Sequence, residues 1–103
     1  MDAAAMQARA AEATAFLKSF AHRDRLLIAC ALVEGERSVG ELEAMLGIRQ
    51  PGLSQQLAGL RAAGLVATRR SGKAVFYRLA DGRVAAFIRT LHDLFCAEET
   101  PHG

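Results

Sequence analysis

The sequence predicts a small, mainly α-helical domain with one β-hairpin, in the element order α-α-α-α-β-β-α. Apolar residues recur at helical spacing in five segments, and two strand-like segments flank a Ser-Gly pair between the fourth and the fifth. The chain has 103 residues, of which 51% are hydrophobic, so it can bury one core without disulfide bonds or a structural metal. We therefore expect residues 1–103 to form a single domain.

The first two helices occupy the N-terminal third of the chain. Residues 4–20 are rich in alanine, which favours a helix that packs closely through small side chains. A second helix is expected from about Asp24 to Val33, and Gly35 ends it. Its apolar stripe consists of Leu26, Leu27, Cys30 and Val33.

Residues 38–63 are typical of two short helices joined by a tight turn, a helix-turn-helix. Ser38 and Glu41 have the spacing of a capping box at the start of the first helix, and Gly47 ends that helix. Pro51 falls in the first turn of the second helix, where a missing N–H costs little. The side of the second helix that faces the core is formed by Leu53, Leu57 and Leu60.

Residues 65–79 predict a β-hairpin, in which Ser71 and Gly72 can supply a two-residue turn. Asp81 is a suitable N-cap for a last helix over about residues 81–98. A hairpin that follows a helix-turn-helix is a wing, so the fold class is a winged helix-turn-helix. The last helix carries a broad apolar stripe of Val84, Phe87, Ile88, Leu91, Leu94 and Phe95.

Positive charge is concentrated in one part of the chain. Residues 49–78 carry six basic side chains and no acidic one, whereas the segments before and after each have a net charge of −2. An acid-free block of this kind suits a polyanion such as a nucleic-acid backbone, although a solvated basic face is the alternative.

The second helix of a helix-turn-helix enters the major groove of DNA with its exposed side chains at the base edges. Glutamine and serine can hydrogen-bond to bases, and arginine and lysine suit phosphates. The alternative is a helix-turn-helix that contacts only protein. The expected DNA contacts are Gln50, Ser54, Gln55, Gln56, Arg61, Arg69, Arg70 and Lys73.

The last helix is very apolar for so small a body, which predicts a homodimer built on it and on residues 4–20. A two-fold dimer implies a pseudo-palindromic DNA operator. The alternative is that the stripe covers only the core of its own chain. The expected interface residues are Phe87, Ile88, Leu91, Leu94 and Phe95.

Several classes of protein are disfavoured. No apolar run is long enough to cross a bilayer and the N-terminus lacks a secretory signal, so we expect a cytoplasmic protein that does not bind membranes. No catalytic or cofactor motif is present, which predicts no enzyme and no cofactor. The histidines are scattered at positions 22, 92 and 102, which leaves little for a metal site. Cys30 and Cys96 lie 66 residues apart, and by default they are two small buried apolar side chains.

The chain resembles the ArsR-type winged-helix repressors over about residues 12–97. The resemblance rests on Arg25-Leu26-Leu27 and on the segments 38–42, 46–57 and 60–66. Most of that family senses metals, but the metal motifs are missing here. One metal-sensing subgroup has cysteines where this chain has Ser38-Val39-Gly40, and another has an Asp-x-His pair where Asp81 is followed by Arg83.

The remaining cysteine pair is similar to that of the sulfide- and persulfide-responsive subgroup. This resemblance implies that Cys30 and Cys96 react with persulfides, close a polysulfide bridge and release DNA. His92 one turn earlier favours Cys96 as the first attacker, whereas the partial negative charge of a helix C-terminus disfavours its thiolate, so the sequence leaves the order open. Cys30, between Ala29 and Ala31, is then expected to be a shielded partner. The alternatives are a peroxide-responsive repressor with a direct Cys30–Cys96 disulfide, a metal-responsive repressor and a thiol oxidoreductase.

Overall fold

The structure, a computed structural model, describes residues 2–96. Residues 97 and 98, at the predicted end of the last helix, lie outside that range. The predicted winged helix-turn-helix is confirmed, with one short strand added before the third helix. The elements are α1 (Ala3–Ser19), α2 (Arg23–Val33), β1 (Arg37–Ser38), α3 (Val39–Leu46), α4 (Gly52–Ala62), β2 (Val66–Ser71), β3 (Ala74–Leu79) and α5 (Gly82–Phe95).

The helix-turn-helix is built as its sequence predicts. The backbone N–H of Glu41 donates to Ser38 Oγ at 3.1 Å, and the N–H of Ser38 donates to Glu41 Oε1 at 2.8 Å, so the capping box is complete. Gly47 ends α3 with a φ of 67°, a left-handed conformation that glycine adopts without a steric penalty. These local signals fix where α3 begins and ends, and hence where the chain turns toward α4.

Removal of the capping hydroxyl tests how much this turn contributes to stability. We expect Ser38→Ala to lower the free energy of unfolding by about 1 kcal/mol, because the Glu41 N–H loses its acceptor at the helix start. The Ser38 hydrogen bonds lower the pKa of Glu41, so their contribution is present above the ordinary carboxyl pKa and is lost as the pH falls through the lowered one. Urea unfolding at neutral and acid pH measures both effects. Ser71→Ala, at the exposed end of β2, is the matched control, and an equal loss in both variants would contradict the assignment.

The sheet has the strand order β1-β3-β2, and both pairs are antiparallel. Ser71 pairs with Ala74, so the two-residue turn is Gly72-Lys73 and not Ser71-Gly72 as the sequence predicts. The left-handed φ of 61° at Gly72 allows a two-residue turn at this position. As a result, Lys73 lies at the very tip of the wing.

One core lies between α2, the helix-turn-helix, the sheet and α5. Its largest fully buried side chains are Ile28, Leu42, Leu53, Leu57, Leu60 and Val84. Within residues 2–96, no helix is both long and apolar enough to span a bilayer.

α1 is attached to this core mainly through aromatic rings. The ring centroid of Phe16 lies 5.3 Å from that of Phe20 and from that of Phe87 on α5. Arg83 adds an ion pair to Glu12 at 3.1 Å. No residue within α1 itself is buried, so most of the surface of this helix faces outward.

Candidate functional site

α4 is held by one face and presents the opposite face to solvent. Leu53, Leu57 and Leu60 are at most 1% exposed and fix the helix on the core. Ser54 and Gln55 are exposed on the outer side, as the sequence predicts. The N-terminal half of α4 thus presents hydrogen-bonding side chains to solvent, as a helix that reads base edges must.

Gln50 caps this helix from the residue before Pro51. Its Oε1 accepts hydrogen bonds from the Ser54 backbone N–H at 3.0 Å and from Ser54 Oγ at 2.7 Å. The caps usual for a helix start are serine, threonine, asparagine and aspartate, and here a glutamine has that role. Gln50 and Ser54, both expected at the DNA, therefore satisfy each other in the free protein.

Gln56 does not share the exposed position of Gln55. It is half-buried, and its Oε1 accepts a hydrogen bond from Arg25 Nε at 2.8 Å. The helical period turns Gln56 toward α2, so its side chain is engaged inside the subunit. The sequence could not indicate this, because the two residues lie 31 positions apart.

The wing holds three of the expected basic contacts, and they differ in their surroundings. Arg70 and Lys73 are exposed. Arg69 forms an ion pair with Glu36, with Nη2 at 2.7 Å from Oε1, and its guanidinium lies 4.6 Å from the ring centroid of Phe76. Pairing of β1 with β3 brings Glu36 to the wing, so the block that is acid-free in sequence is not acid-free in space.

Arg61 completes the exposed basic set, in the last turn of α4. Together with Arg70 and Lys73 it leaves positive charge at the C-terminal end of α4 and on the wing. Phosphates of a duplex seated on the exposed face of α4 would meet these side chains first.

A second site lies between α2 and α5, where the structure forms an open groove of about 640 Å³. Both cysteines line it, although 66 residues separate them in the sequence. The walls are mostly apolar, and the charged or polar side chains at the rim are Glu34, Arg89 and His92. The other lining residues are Leu26, Val33, Ile88, Leu91 and Phe95.

The groove corrects two expectations about α2. Ala29 and Ala31 are buried and help to form its core face, whereas Leu26, Cys30 and Val33 form a wall of the groove. Cys30 is exposed in the single chain, so it is not the shielded thiol that its alanine neighbours predict. The reason is that these alanines point to the core on the other side of the helix.

Both thiols are free, and Cys96 is half-buried at the C-cap of α5. Partial burial of its thiol against the groove wall raises the pKa of Cys30, and negative charge on an ionised Cys96 raises it further. The surroundings of Cys30 therefore oppose its spontaneous ionisation. Among residues 2–96, no three His, Cys, Asp or Glu side chains come together as metal ligands would.

The expected dimer residues fall into two groups. Ile88 is 6% exposed and belongs to the core of its own chain, and Phe87 packs against Phe16 and Phe20. Both residues therefore have packing partners within their own subunit. Leu94 and Phe95 are each 69% exposed, and Leu91 is half-buried between the two groups.

A helix-turn-helix with an outward polar face, flanked by a basic wing, defines a DNA-binding transcriptional regulator of the winged-helix class. Comparison with known proteins agrees with this class and narrows it. Residues 22–68 match the family described as "Bacterial regulatory protein, arsR family". Over 95 residues the chain is 57% identical to the biofilm growth-associated repressor of Agrobacterium fabrum, a match that covers 92% of this chain and 81% of that protein.

Solved structures extend the likeness to the whole fold. The transcriptional repressor BigR from Xylella fastidiosa superposes with a TM-score of 0.88 at 49% identity, covering 93% of this chain and 98% of that one. A homodimeric winged helix-turn-helix domain from Mycobacterium bovis, a possible ArsR-family regulator, gives a TM-score of 0.74 at 29% identity, covering 95% and 93%. The chain belongs to the arsR family, and it is a transcriptional repressor of this type and not an enzyme.

Proposed function

We propose that this chain is a homodimeric repressor that releases pseudo-palindromic operator DNA when persulfide sulfur bridges Cys30 and Cys96. The observation that carries the proposal is the groove between α2 and α5, because it is lined by both thiols of the described chain. Two cysteines that line the same groove can react as a pair, whereas two thiols buried in different parts of the core cannot.

The chemistry starts with a thiolate that attacks the outer sulfur of a persulfide, RSSH. Cys96 becomes Cys96–SSH, and the donor leaves as the thiol RSH. The raised pKa of Cys30 disfavours it for this first step.

Closure of the bridge needs an oxidant, and a second RSSH supplies it. The Cys96–SS⁻ anion attacks the sulfur of RSSH that carries R, which gives Cys96–S–S–S–R and releases hydrogen sulfide. Cys30 thiolate then attacks the middle sulfur and displaces RS⁻, which leaves the smallest bridge, a trisulfide in which one added sulfur atom joins the two cysteine sulfurs. Two thiols and two persulfides thus give one trisulfide, two RSH and one hydrogen sulfide.

The DNA side of the proposal rests on the exposed face of α4 and on the wing. Ser54 and Gln55 are exposed on this face and would meet base edges, since glutamine can hydrogen-bond twice to adenine. Arg61, Arg70 and Lys73 fit phosphates. Arg69 and Gln56 have partners within the subunit, so they support this face and need not touch DNA.

The dimer side rests on exposed apolar surface at α1 and at the end of α5. Leu94 and Phe95 are 69% exposed, and Leu17 on α1 is 52% exposed. A second copy would cover this surface and place two α4 helices about one turn of DNA apart. A bridge between α2 and α5 would then change the spacing of these helices, because α5 contributes to the interface.

Mass spectrometry tests the proposal directly. The reduced protein, treated with glutathione persulfide, should gain sulfur mass in a species that links the peptides of Cys30 and Cys96, and it should release duplex DNA selected from a random library. Hydrogen peroxide at the same concentration should leave the DNA bound. If peroxide formed a direct Cys30–Cys96 disulfide and released the DNA, the peroxide-responsive alternative would be supported instead. A protein mass unchanged by both reagents would overturn both hypotheses.

The raised pKa of Cys30 gives a pH dependence with a definite sign. Only the thiolate reacts, so alkylation of Cys30 should accelerate about tenfold per pH unit below its pKa and level off at a higher pH than for a free cysteine. Iodoacetamide labelling between about pH 7 and 10, read at the Cys30 peptide, measures this. A plateau at or below that of a cysteine-containing tripeptide control would contradict the raised pKa of Cys30.

A further inference from the structure

We propose that Arg25 is a positioning residue that ties the recognition helix α4 to the cysteine-bearing helix α2. The inference rests on the proposed function and adds to it the route from the groove to the DNA-reading face. Arg25 Nε donates to Gln56 Oε1 at 2.8 Å, and Nη1 donates to the Ser19 carbonyl at 3.4 Å. We call Arg25 with Gln56 and Gly59 the arginine clasp.

Gly59 provides the space on α4 that the Arg25 guanidinium occupies. A Cβ atom placed on Gly59 would lie 2.8 Å from Arg25 Cζ, closer than carbon atoms approach without displacement. The guanidinium therefore rests directly on the backbone of α4, where only glycine leaves room for it. Any larger residue would displace the end of the Arg25 side chain, since that is the flexible partner.

The clasp lies on the path from the thiols to the DNA. Arg25 and Cys30 share α2, which packs against α5 on one side and against α4 on the other. A bridge from Cys30 to Cys96 constrains α2 relative to α5. The clasp passes this constraint to α4, because a charge-assisted hydrogen bond holds its geometry more tightly than apolar contact does.

The clasp also explains why Gln56 and Gln55, adjacent in sequence, have different tasks. Gln55 is exposed and free to meet a base, whereas Gln56 holds the arginine. A change at Gln56 should accordingly weaken binding to every DNA sequence by the same factor. A residue that reads a base would instead alter preference at one position of each half-site.

Two variants break the clasp from opposite sides. Gly59→Ala displaces the guanidinium while improving the intrinsic helix propensity of α4, and Gln56→Leu removes the acceptor. Gly82→Ala is the matched control, because a Cβ there meets nothing within 4 Å and it lies at the start of α5. The probe is a duplex that the wild-type protein selects from a random library, together with its single base-pair variants.

We expect Gly59→Ala and Gln56→Leu to bind the selected duplex about tenfold more weakly in the reduced state, with unchanged base preference. The ratio of reduced to persulfide-treated affinity should shrink in both, while the Tm of Gly59→Ala stays at or above that of the wild type. Gly82→Ala should behave as wild type.

The inference fails if Gly59→Ala keeps wild-type affinity, or if Gln56→Leu changes preference at a single base pair. Either result, with a wild type that still responds to persulfide, would refute the clasp and leave the proposed function standing. A wild type that selects no DNA sequence would overturn the proposed function and the clasp together.

Discussion

Cys30→Ser and Cys96→Ser should each bind operator DNA with wild-type affinity and keep it bound in the presence of persulfide. The thiols lie in the groove between α2 and α5, away from the exposed face of α4, so their removal leaves the DNA-binding surface intact. Without either sulfur atom no bridge can close. Fluorescence anisotropy of a labelled duplex, before and after glutathione persulfide, measures the loss of response.

Val33→Thr is the matched control for the cysteine variants. It places a hydroxyl on the same wall of the same groove and leaves both thiols in place. We expect it to release DNA as the wild type does. If Cys30→Ser or Cys96→Ser still released DNA, the bridge would not be the signal.

Removal of the exposed charges at the wing should have the second largest effect. The double variant Arg70→Ala/Lys73→Ala should bind DNA more weakly, and the slope of log K against log salt should fall by about one unit for each phosphate that is no longer neutralised. Both side chains are exposed at the hairpin. Titrations at several salt concentrations measure the slope.

A control variant with the same change in net charge, made outside the wing, distinguishes local phosphate contacts from the effect of the overall charge of the protein. Arg9→Ala/Lys18→Ala removes two exposed cations from α1, far from the wing in the chain, and should leave the salt slope unchanged. Arg69→Ala should act differently again, since the charge of Arg69 is already paired with that of Glu36. Equal slopes for the wing and α1 variants would contradict the proposed phosphate contacts.

The elements that the sequence predicts well are those fixed by residues a few positions apart. The capping box joins Ser38 to Glu41, and the leucines of α4 recur at helical spacing, so both can be recognised without knowledge of the tertiary structure. β1 has only two residues and exists because β3 lies beside it. Two residues are too short for the alternation that identifies a strand.

The candidate site likewise has features that local sequence predicts and features that depend on tertiary contacts. Exposure of Gln55 follows from the helical period, but the partners of Gln56 and Arg69 lie 31 and 33 residues away. A count of charges along the chain overstates the basic face for this reason, because Glu36 reaches Arg69 only through the sheet. The groove also depends on how α2 and α5 pack, and the apolar stripe of α2 could not indicate which part of it stays uncovered.

The outward-facing surface of α1 links dimerisation of the protein to the ordering of this helix. This helix has 17 residues, none of them buried, and a helix in a protein takes most of its stability from the packing of one face against other elements. In the proposed dimer, part of the order of α1 is therefore supplied by the companion copy. Dimerisation and the final stage of folding would then be one concentration-dependent equilibrium, set by the amount of the protein.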